Sequence, residues 1–175
     1  MIRLENAKDR PGDLPALTAL YERSFPANER RPLEPLLTDE TGHAAVLCVV
    51  REGAFCGFLC LLRANGLAHI IYFAVPEALR GRGIGAEALA AVRAMYPGER
   101  VIVDIEQPDE RAGEGDLRRR RMAFYLRCGY AETPVRYDWR GEKYVILSCG
   151  GNVTGEEFGQ FWRSLSRDMP SARNY

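Results

Sequence analysis

Residues 70–95, IIYFAVPEALRGRGIGAEALAAVRAM, join an apolar run to a glycine-rich loop and then to a helical pattern. The run at residues 70–75 predicts a buried strand, and Pro76 ends it because proline has no N–H group for a strand ladder. Beyond the loop, apolar residues recur with a 3.6-residue period, which predicts a helix with one face on a core. A strand, a loop and a helix N-terminus in this order point several backbone N–H groups at one anion.

The loop favours a pyrophosphate as that anion. Gly81, Gly83 and Gly85 let the backbone adopt positive φ and let a phosphate approach without meeting a Cβ atom. A nucleoside-triphosphate loop needs a lysine and a hydroxyl residue after its last glycine, and neither follows Gly85. A glycine-rich turn that enters the helix without binding a ligand is the plainer alternative.

A dinucleotide is the stronger competitor for this loop. Gly81, Gly83 and Ala86 satisfy the G-x-G-x-x-[GA] fingerprint, and Asp104 follows about 20 residues later, where a ribose-binding acid belongs. However, five residues separate Val75 from Gly81, whereas the fingerprint glycines follow their strand almost directly. Three strand-like runs in hairpin order also precede the loop, in place of the βαβ units that a dinucleotide-binding domain requires. These two features argue against a dinucleotide, and coenzyme A is the third ligand that could use such a loop.

Composition is typical of one globular domain. Of the 175 residues, 46% are hydrophobic and 27% are charged, and the formal net charge is zero. No global field therefore attracts nucleic acid or a membrane, and no apolar run reaches the roughly 18 to 20 residues of a membrane span. The five cysteines form no C-x-x-C pair, which argues against zinc and against a disulfide framework. We expect a cytoplasmic monomer or homodimer, with one domain over residues 1–166 and a frayed tail over residues 167–175.

Sequence patterns also predict the order of the elements. The predicted strands are residues 1–6, 44–51, 55–63, 67–75, 101–106, 130–138 and 144–149. Asn65-Gly66 is a strong signal for a tight hairpin turn. The strand at residues 101–106 follows a helix, so it is expected to pair parallel to the strand before that helix. A capping box, Thr154-x-x-Glu157, opens the last predicted helix.

Two motifs in this order resemble the GCN5-related N-acetyltransferase (GNAT) superfamily. RGRGIG at residues 80–85 is similar to its [QR]-x-x-G-x-[GA] signature, and FYLRCGY at residues 124–130 resembles its F-Y-x-x-x-G-[FY] pattern. The resemblance covers about residues 1–150. It implies a mixed α/β fold with a mostly antiparallel central sheet, splayed at the cofactor cleft, and helices on both faces. The family usually has an asparagine seven residues before the tyrosine of the second motif, and this chain has Arg118 there.

The resemblance implies transfer of the acetyl group of acetyl-CoA to a primary amine, by direct attack in a ternary complex and without a metal. The pantetheine arm is expected to hydrogen-bond to the backbone of Phe73 and Val75 like an extra strand. The pyrophosphate is expected on the loop amides, with added charge from Arg80 and Arg82. The predicted cofactor-binding residues are Phe73, Val75, Arg80, Gly81, Arg82, Gly83, Gly85, Ala86 and Tyr125.

Three residues are candidates for proton transfer. On the family pattern Tyr125 points its hydroxyl at the thioester sulfur, and a phenol with a pKa of about 10 can protonate a departing thiolate. Glu106 ends the predicted parallel strand and faces the cleft. His69 takes the position of a catalytic glutamate in the histone acetyltransferases. Glu106 and His69 are therefore candidates for the base that deprotonates the acceptor amine, and a water chain without a dedicated base is the alternative.

The acceptor is not specified by the sequence, and two classes of function stay open. The first is an N-acetyltransferase that acts on a small amine or on a protein amino group. The second is a non-catalytic module of the same fold that binds CoA or RNA. Residues 25–32 resemble a segment that lines the acceptor side of the cleft in a bacterial subset of the family, and a solvated linker is the alternative. The four arginines at residues 118–121 point in different directions on a helix, so a single nucleic-acid patch is not expected.

Overall fold

Seven strands and five helices build the fold in the computed structural model, which describes residues 1–175 except for the side chain of Asn174. The strands are β1 Ile2–Asn6, β2 Ala44–Arg51, β3 Ala54–Ala64, β4 Leu67–Ala74, β5 Arg100–Glu106, β6 Ala131–Trp139 and β7 Glu142–Cys149. The helices are α1 Leu14–Ser24, α2 Glu34–Leu37, α3 Ile84–Met95, α4 Leu117–Arg127 and α5 Gly155–Asp168. In the part of the chain so described, no helix is long and apolar enough to cross a membrane.

The strands form a single sheet in the order β1-β2-β3-β4-β5-β7-β6. All neighbours are antiparallel except β4 and β5, which run parallel because α3 carries the chain back between them. Asn65 and Gly66 both have positive φ, as a two-residue hairpin turn requires. The predicted antiparallel meander, parallel crossover and final hairpin are confirmed, and with them the mixed α/β fold class.

Helices cover both faces of the sheet, as the resemblance implies. On one face α1 and α5 bury apolar side chains that include Leu20 and Phe161. On the other face α3 and α4 bury a second cluster that includes Leu89 and Tyr125. The alternation of residues along each strand supplies both clusters, because successive side chains point to opposite faces.

A β-bulge in β4 opens the sheet near its centre. Two consecutive residues of β3 pair with Tyr72 and Ile70, so Ile71 is an extra residue on β4. The pairing of β4 with β5 covers only four residues, whereas β5 continues beside β7 as far as Glu106. Because a bulge bends its strand, the ends of β4 and β5 separate. This gap corresponds to the splay that the resemblance implies.

The C-terminal segment differs from the frayed tail predicted over residues 167–175. Helix α5 continues to Asp168, and a 3-10 turn follows at Pro170–Asn174. Met169 and Ala172 are buried in the same cluster as α1 and α5. The apolar side chains within this short segment therefore attach it to the core, which an expectation based on its terminal position overlooks.

Candidate active site

A cavity of about 440 Å³ lies beside the gap between β4 and β5, on the face covered by α1 and α5. Eight of its fifteen lining residues carry aromatic rings. Three others carry carboxylates, namely Glu29, Asp104 and Glu106, and the predicted residue His69 also lines it. This size and this mixture of apolar walls with a few polar groups are typical of small-molecule sites.

Asp104 is the centre of a hydrogen-bonded group in the cavity lining. Its Oδ1 lies 3.0 Å from Nε2 of His69, and the hydroxyl of Tyr137 donates to its Oδ2 at 2.6 Å. Burial by itself would raise the pKa of Asp104, but the hydrogen bonds with His69 and Tyr137 outweigh burial and lower that pKa. Asp104 therefore stays ionised and holds its two partners in place.

His69 reaches the cavity with one of its two ring nitrogens engaged by Asp104. The residue is 2% exposed, its Nε2 faces Asp104, and its Nδ1 has no hydrogen-bond partner among the described residues. The rings of Phe161 and Trp162 pack edge-on against the imidazole with centroids 5.8 and 5.7 Å away. This packing fixes the orientation of the ring. The predicted residue therefore lies in the site, where it contacts Asp104 directly.

Glu106, the other predicted base, forms an ion pair with Arg118. Oε2 of Glu106 lies 2.5 Å from Nε of Arg118, and the same guanidinium reaches Glu142 at 3.1 Å. The charge of Glu106 is the main cause that raises the pKa of Arg118. Arg118, which replaces the usual asparagine of the family, thus ties the first turn of α4 to the ends of β5 and β7.

Glu29 is a site residue that the sequence reasoning did not single out. It lies in the loop after α1, and the hydroxyl of Tyr72 donates to its backbone oxygen at 3.0 Å. The hydroxyl of Tyr21 donates to the backbone oxygen of Arg31 and accepts from its N–H, both at 2.8 Å. Burial, and then the charge of Glu106, raises the pKa of Glu29. A half-buried carboxylate with a raised pKa, held on a pinned loop, is suited to accept a proton.

The glycine-rich loop lies on the opposite face of the sheet, at the start of α3. Gly81 and Gly83 have φ values of 73° and 77°, and both are exposed. No side chain caps the helix at Gly83, and the first backbone bond of α3 runs from the N–H of Glu87 to the oxygen of Gly83. The preceding N–H groups, which include those of Gly85 and Ala86, have no acceptor within the helix.

Gly85 is needed for close packing and not for the positive φ that its place in the loop predicts. Its φ lies outside the left-handed region. A Cβ atom at this position would lie 3.0 Å from Cζ of Phe124 and 3.8 Å from Cζ of Phe73. That glycine is therefore required by the close packing of α3 against α4 and β4, so this part of the prediction is wrong.

The other predicted cofactor contacts surround the loop. Phe73 and Val75 are half-buried on the face of β4 that carries α3. Arg80 is exposed, and its Nε donates to the backbone oxygen of Val75 at 3.2 Å. Arg82 is exposed at the tip of the loop. The loop therefore brings two guanidinium groups and free helix amides next to the end of β4.

Tyr125 is buried on α4, away from the lining of the cavity. Its ring packs edge-on against Tyr130 with centroids 5.4 Å apart. Burial is the main cause that raises the pKa of Tyr125, and the charge of Asp104 adds to it. A buried phenol with a raised pKa stays protonated at neutral pH, so it carries a proton to donate, but it is a weaker acid than an exposed phenol. The predicted acid thus lies on the cofactor face, within electrostatic range of the carboxylates of the cavity.

The comparison with known families agrees with this arrangement. The sequence matches the Acetyltransferase (GNAT) family over residues 14–130, which is more than half of the chain. The chain therefore belongs to the GNAT acetyltransferase family, as its two motifs predict. No curated protein matches the chain in sequence.

Solved structures share the fold over most of the chain. A protein described as a GNAT-family acetyltransferase from Bacteroides thetaiotaomicron aligns with a TM-score of 0.74 and 20% identity, over 95% of this chain and 96% of that one. An aminoglycoside 6′-N-acetyltransferase complexed with coenzyme A aligns with a TM-score of 0.65 and 14% identity, over 85% and 95%. The ribosomal-protein-S18-alanine N-acetyltransferase from Escherichia coli aligns with a TM-score of 0.62 and 16% identity, over 89% and 97%. At these identities the similarity establishes the fold.

Proposed function

We propose that this protein is an N-acetyltransferase that moves the acetyl group of acetyl-CoA to a primary amine by direct attack in a ternary complex. The observation that carries the proposal is the gap between β4 and β5. It separates a loop of free amides on one face of the sheet from a cavity with carboxylates on the other. Two substrates that enter from opposite faces would meet at this gap, with their reacting groups held at close range.

The loop residues fit a pyrophosphate. Free N–H groups at the start of α3 and the exposed guanidinium groups of Arg80 and Arg82 would hold the anion. Glu87 in the first turn would repel it, but that carboxylate accepts from the N–H of Ile2 and pairs with Arg51 at 2.5 Å. The backbone of Phe73 and Val75, which lies beyond the pairing of β4 with β5, would receive the pantetheine arm, and Arg80 would release the oxygen of Val75 where the arm needs it.

Deprotonation of the acceptor is the first chemical requirement, because an alkyl ammonium with a pKa of about 10 is not a nucleophile. Of the three carboxylates, Asp104 is engaged by His69 and Tyr137, and Glu106 by Arg118. We assign the base to Glu29, whose pKa is raised and whose carboxylate forms no hydrogen bond or ion pair with another described residue. Besides burial, the charges of Glu106 and Asp104 would then raise the pKa of this base, and those of Arg121 and Arg140 would lower it.

The remaining steps follow from the positions of the other groups. The amine nitrogen attacks the thioester carbon, and the oxyanion that forms needs a fixed donor, which a backbone N–H at the bulged end of β4 would provide. The bond between carbon and sulfur then breaks. Tyr125 would give its hydroxyl proton to the departing thiolate, and the proton that the attacking nitrogen loses as the amide forms would restore that hydroxyl.

Thiol release from acetyl-CoA in the presence of a panel of primary amines tests the proposal. Tyr125→Phe should lower kcat by about 10²-fold or more if its hydroxyl is the acid. Tyr130→Phe is the matched control, since that neighbouring hydroxyl is buried without a partner among the described side chains. Binding of CoA without release of thiol for any amine would instead favour a non-catalytic module, and co-purification with salt-sensitive RNA would favour an RNA-binding one.

A further inference from the structure

The cavity has rigid aromatic walls, which amine acetylation as such does not require. Tyr137 stacks on Tyr144 with centroids 5.3 Å apart and planes inclined by 11°, and Phe158 continues the stack at 6.0 Å and 23°. Phe25 and Tyr72 form a second pair, edge to face, at 4.9 Å. Neighbouring rings hold these side chains in place, so the side chains lose little conformational entropy when a flat apolar ligand packs against them.

Of the three carboxylates in the described lining of the cavity, Glu29 is the one left to pair with a cationic ligand. Asp104 and Glu106 already have cationic or hydrogen-bonding partners. The carboxylate of Glu29 forms no hydrogen bond or ion pair with a described residue, although the charges of Arg121 and Arg140 act on it from a distance. The charges of Glu29 and Glu106 also contribute, after burial, to raising the pKa of Tyr144 to about 12. A ligand with a second ammonium group would bury that charge against aromatic and guanidinium groups without a carboxylate to match it.

The loop that carries Glu29 is fastened on both sides of the cavity. Tyr72 donates to the backbone of Glu29, and the hydroxyl of Tyr175 donates to the backbone oxygen of Pro32. These contacts limit how far the loop can move away from the sheet. A cavity of about 440 Å³ under a fastened loop is suited to a whole small molecule and not to an extended peptide.

We infer that the acceptor is a small monoamine with an aryl or similarly flat apolar body, whose ammonium group lies against Glu29 and whose body lies between the rings. This inference rests on the proposed acetyltransferase function. The faces of the Tyr rings also attract a cation, so they favour the protonated amine before Glu29 takes its proton. The ring of Trp139 already lies under the guanidinium groups of Arg140, at 4.5 Å, and Arg31, at 5.9 Å, so it is suited to the apolar body of the ligand and not to its ammonium. Trp139, half-buried at the end of β6, completes the wall next to Tyr144 at 6.0 Å.

The kinetic test compares kcat/KM for phenethylamine, butylamine, spermidine and trialanine with acetyl-CoA as donor. Phenethylamine should exceed butylamine by at least about tenfold, because burial of the ring adds to binding. Trp139→Leu should reduce this ratio several-fold. Tyr96→Leu is the matched control, since that ring lies under Arg63 outside the cavity, and it should leave the ratio unchanged.

A second measurement does not depend on turnover. Trp139 and Trp162 are the only tryptophans in the sequence, and both line the cavity. Titration with phenethylamine should therefore change tryptophan fluorescence saturably, and spermidine should not. Faster transfer to spermidine or trialanine, or an unchanged ratio in Trp139→Leu, overturns the inference and leaves the transferase function standing. Saturable binding of phenethylamine without thiol release for any amine overturns the transferase function instead.

Discussion

Gly57→Ala should disturb the cofactor side of the site through the backbone of β4. Gly57 lies on β3 with a φ of 148°, and a Cβ atom there would lie 2.5 Å from the backbone oxygen of Ala74. Ordinary contact begins at 3.4 Å, so this oxygen would have to retreat by the difference of 0.9 Å. Ala74 is the last residue of β4 and Val75 follows it, at the place where the pantetheine arm is proposed to bind.

The size of the effect follows from two contributions. A side chain forced into positive φ costs about 1 to 3 kcal/mol, and overpacking against a backbone adds about 1 to 3 kcal/mol. The sum is about 2 to 6 kcal/mol, which for a chain of this length lowers the Tm by roughly 4 to 24 °C. Gly53→Ala supplies the control for the first contribution, because Gly53 has a φ of 81° with nothing within 4 Å of the added Cβ atom.

Thermal unfolding of both variants, with and without CoA, separates the two contributions. Gly53→Ala should lose stability by strain alone and keep the full increase in Tm that CoA produces. Gly57→Ala should lose more stability, and CoA should stabilise it less, with a raised KM for acetyl-CoA. If the two variants unfold at the same temperature and respond equally to CoA, the close approach of β3 to the end of β4 does not govern cofactor binding.

Two further predictions concern the base and the last helix. Glu29→Gln should lower kcat/KM by about 10²- to 10⁴-fold at neutral pH. In the wild type, kcat/KM should also fall as pH decreases through the raised pKa of Glu29, because the base must be unprotonated. This acidic limb of the pH profile should vanish in Glu29→Gln. The limb that reports deprotonation of the amine itself, near pH ~10, should remain. Equal pH profiles would exclude Glu29 as the base. Thr154→Ala should lower the free energy of unfolding by about 1 kcal/mol, since Thr154 and Glu157 form a complete capping box, and calorimetry with Thr154→Ser as the conservative control measures it.

The cofactor face could be predicted from the sequence because its signals are local. The loop and the start of α3 are contiguous in the sequence. The glycines at positions 81 and 83 directly predict the positive φ that the structure has there. The role of Gly85 cannot be deduced from its neighbours in the sequence. The ring that requires a glycine there is that of Phe124, which belongs to another helix. A glycine that is needed for packing and a glycine that is needed for φ look the same in a sequence.

The acceptor face could be predicted only in part, because its residues meet through long-range contacts. Glu29 belongs to a loop without periodicity, and its position depends on Tyr72, 43 positions away. In the sequence, the spacing of Asp104 from the loop indicates only a ribose-binding acid. However, the register of β4 and β5 places Ile102 beside His69, so Asp104, two residues further on, projects from the same face towards that histidine. The predicted parallel pairing of β4 with β5 implies this contact between His69 and Asp104, but only once the register of the two strands is known.

One inserted residue accounts for both halves of the site. Without the bulge, β4 would alternate regularly and would continue beside β5. With Ile71 as the extra residue, both Ile71 and Tyr72 face the cavity, and Phe73 is turned to the face of α3. The same insertion bends β4 away from β5 and leaves backbone groups unpaired where the proposed substrates meet. The specificity of the walls and the opening between the faces are therefore physically linked, and a change that removed the bulge would abolish both together.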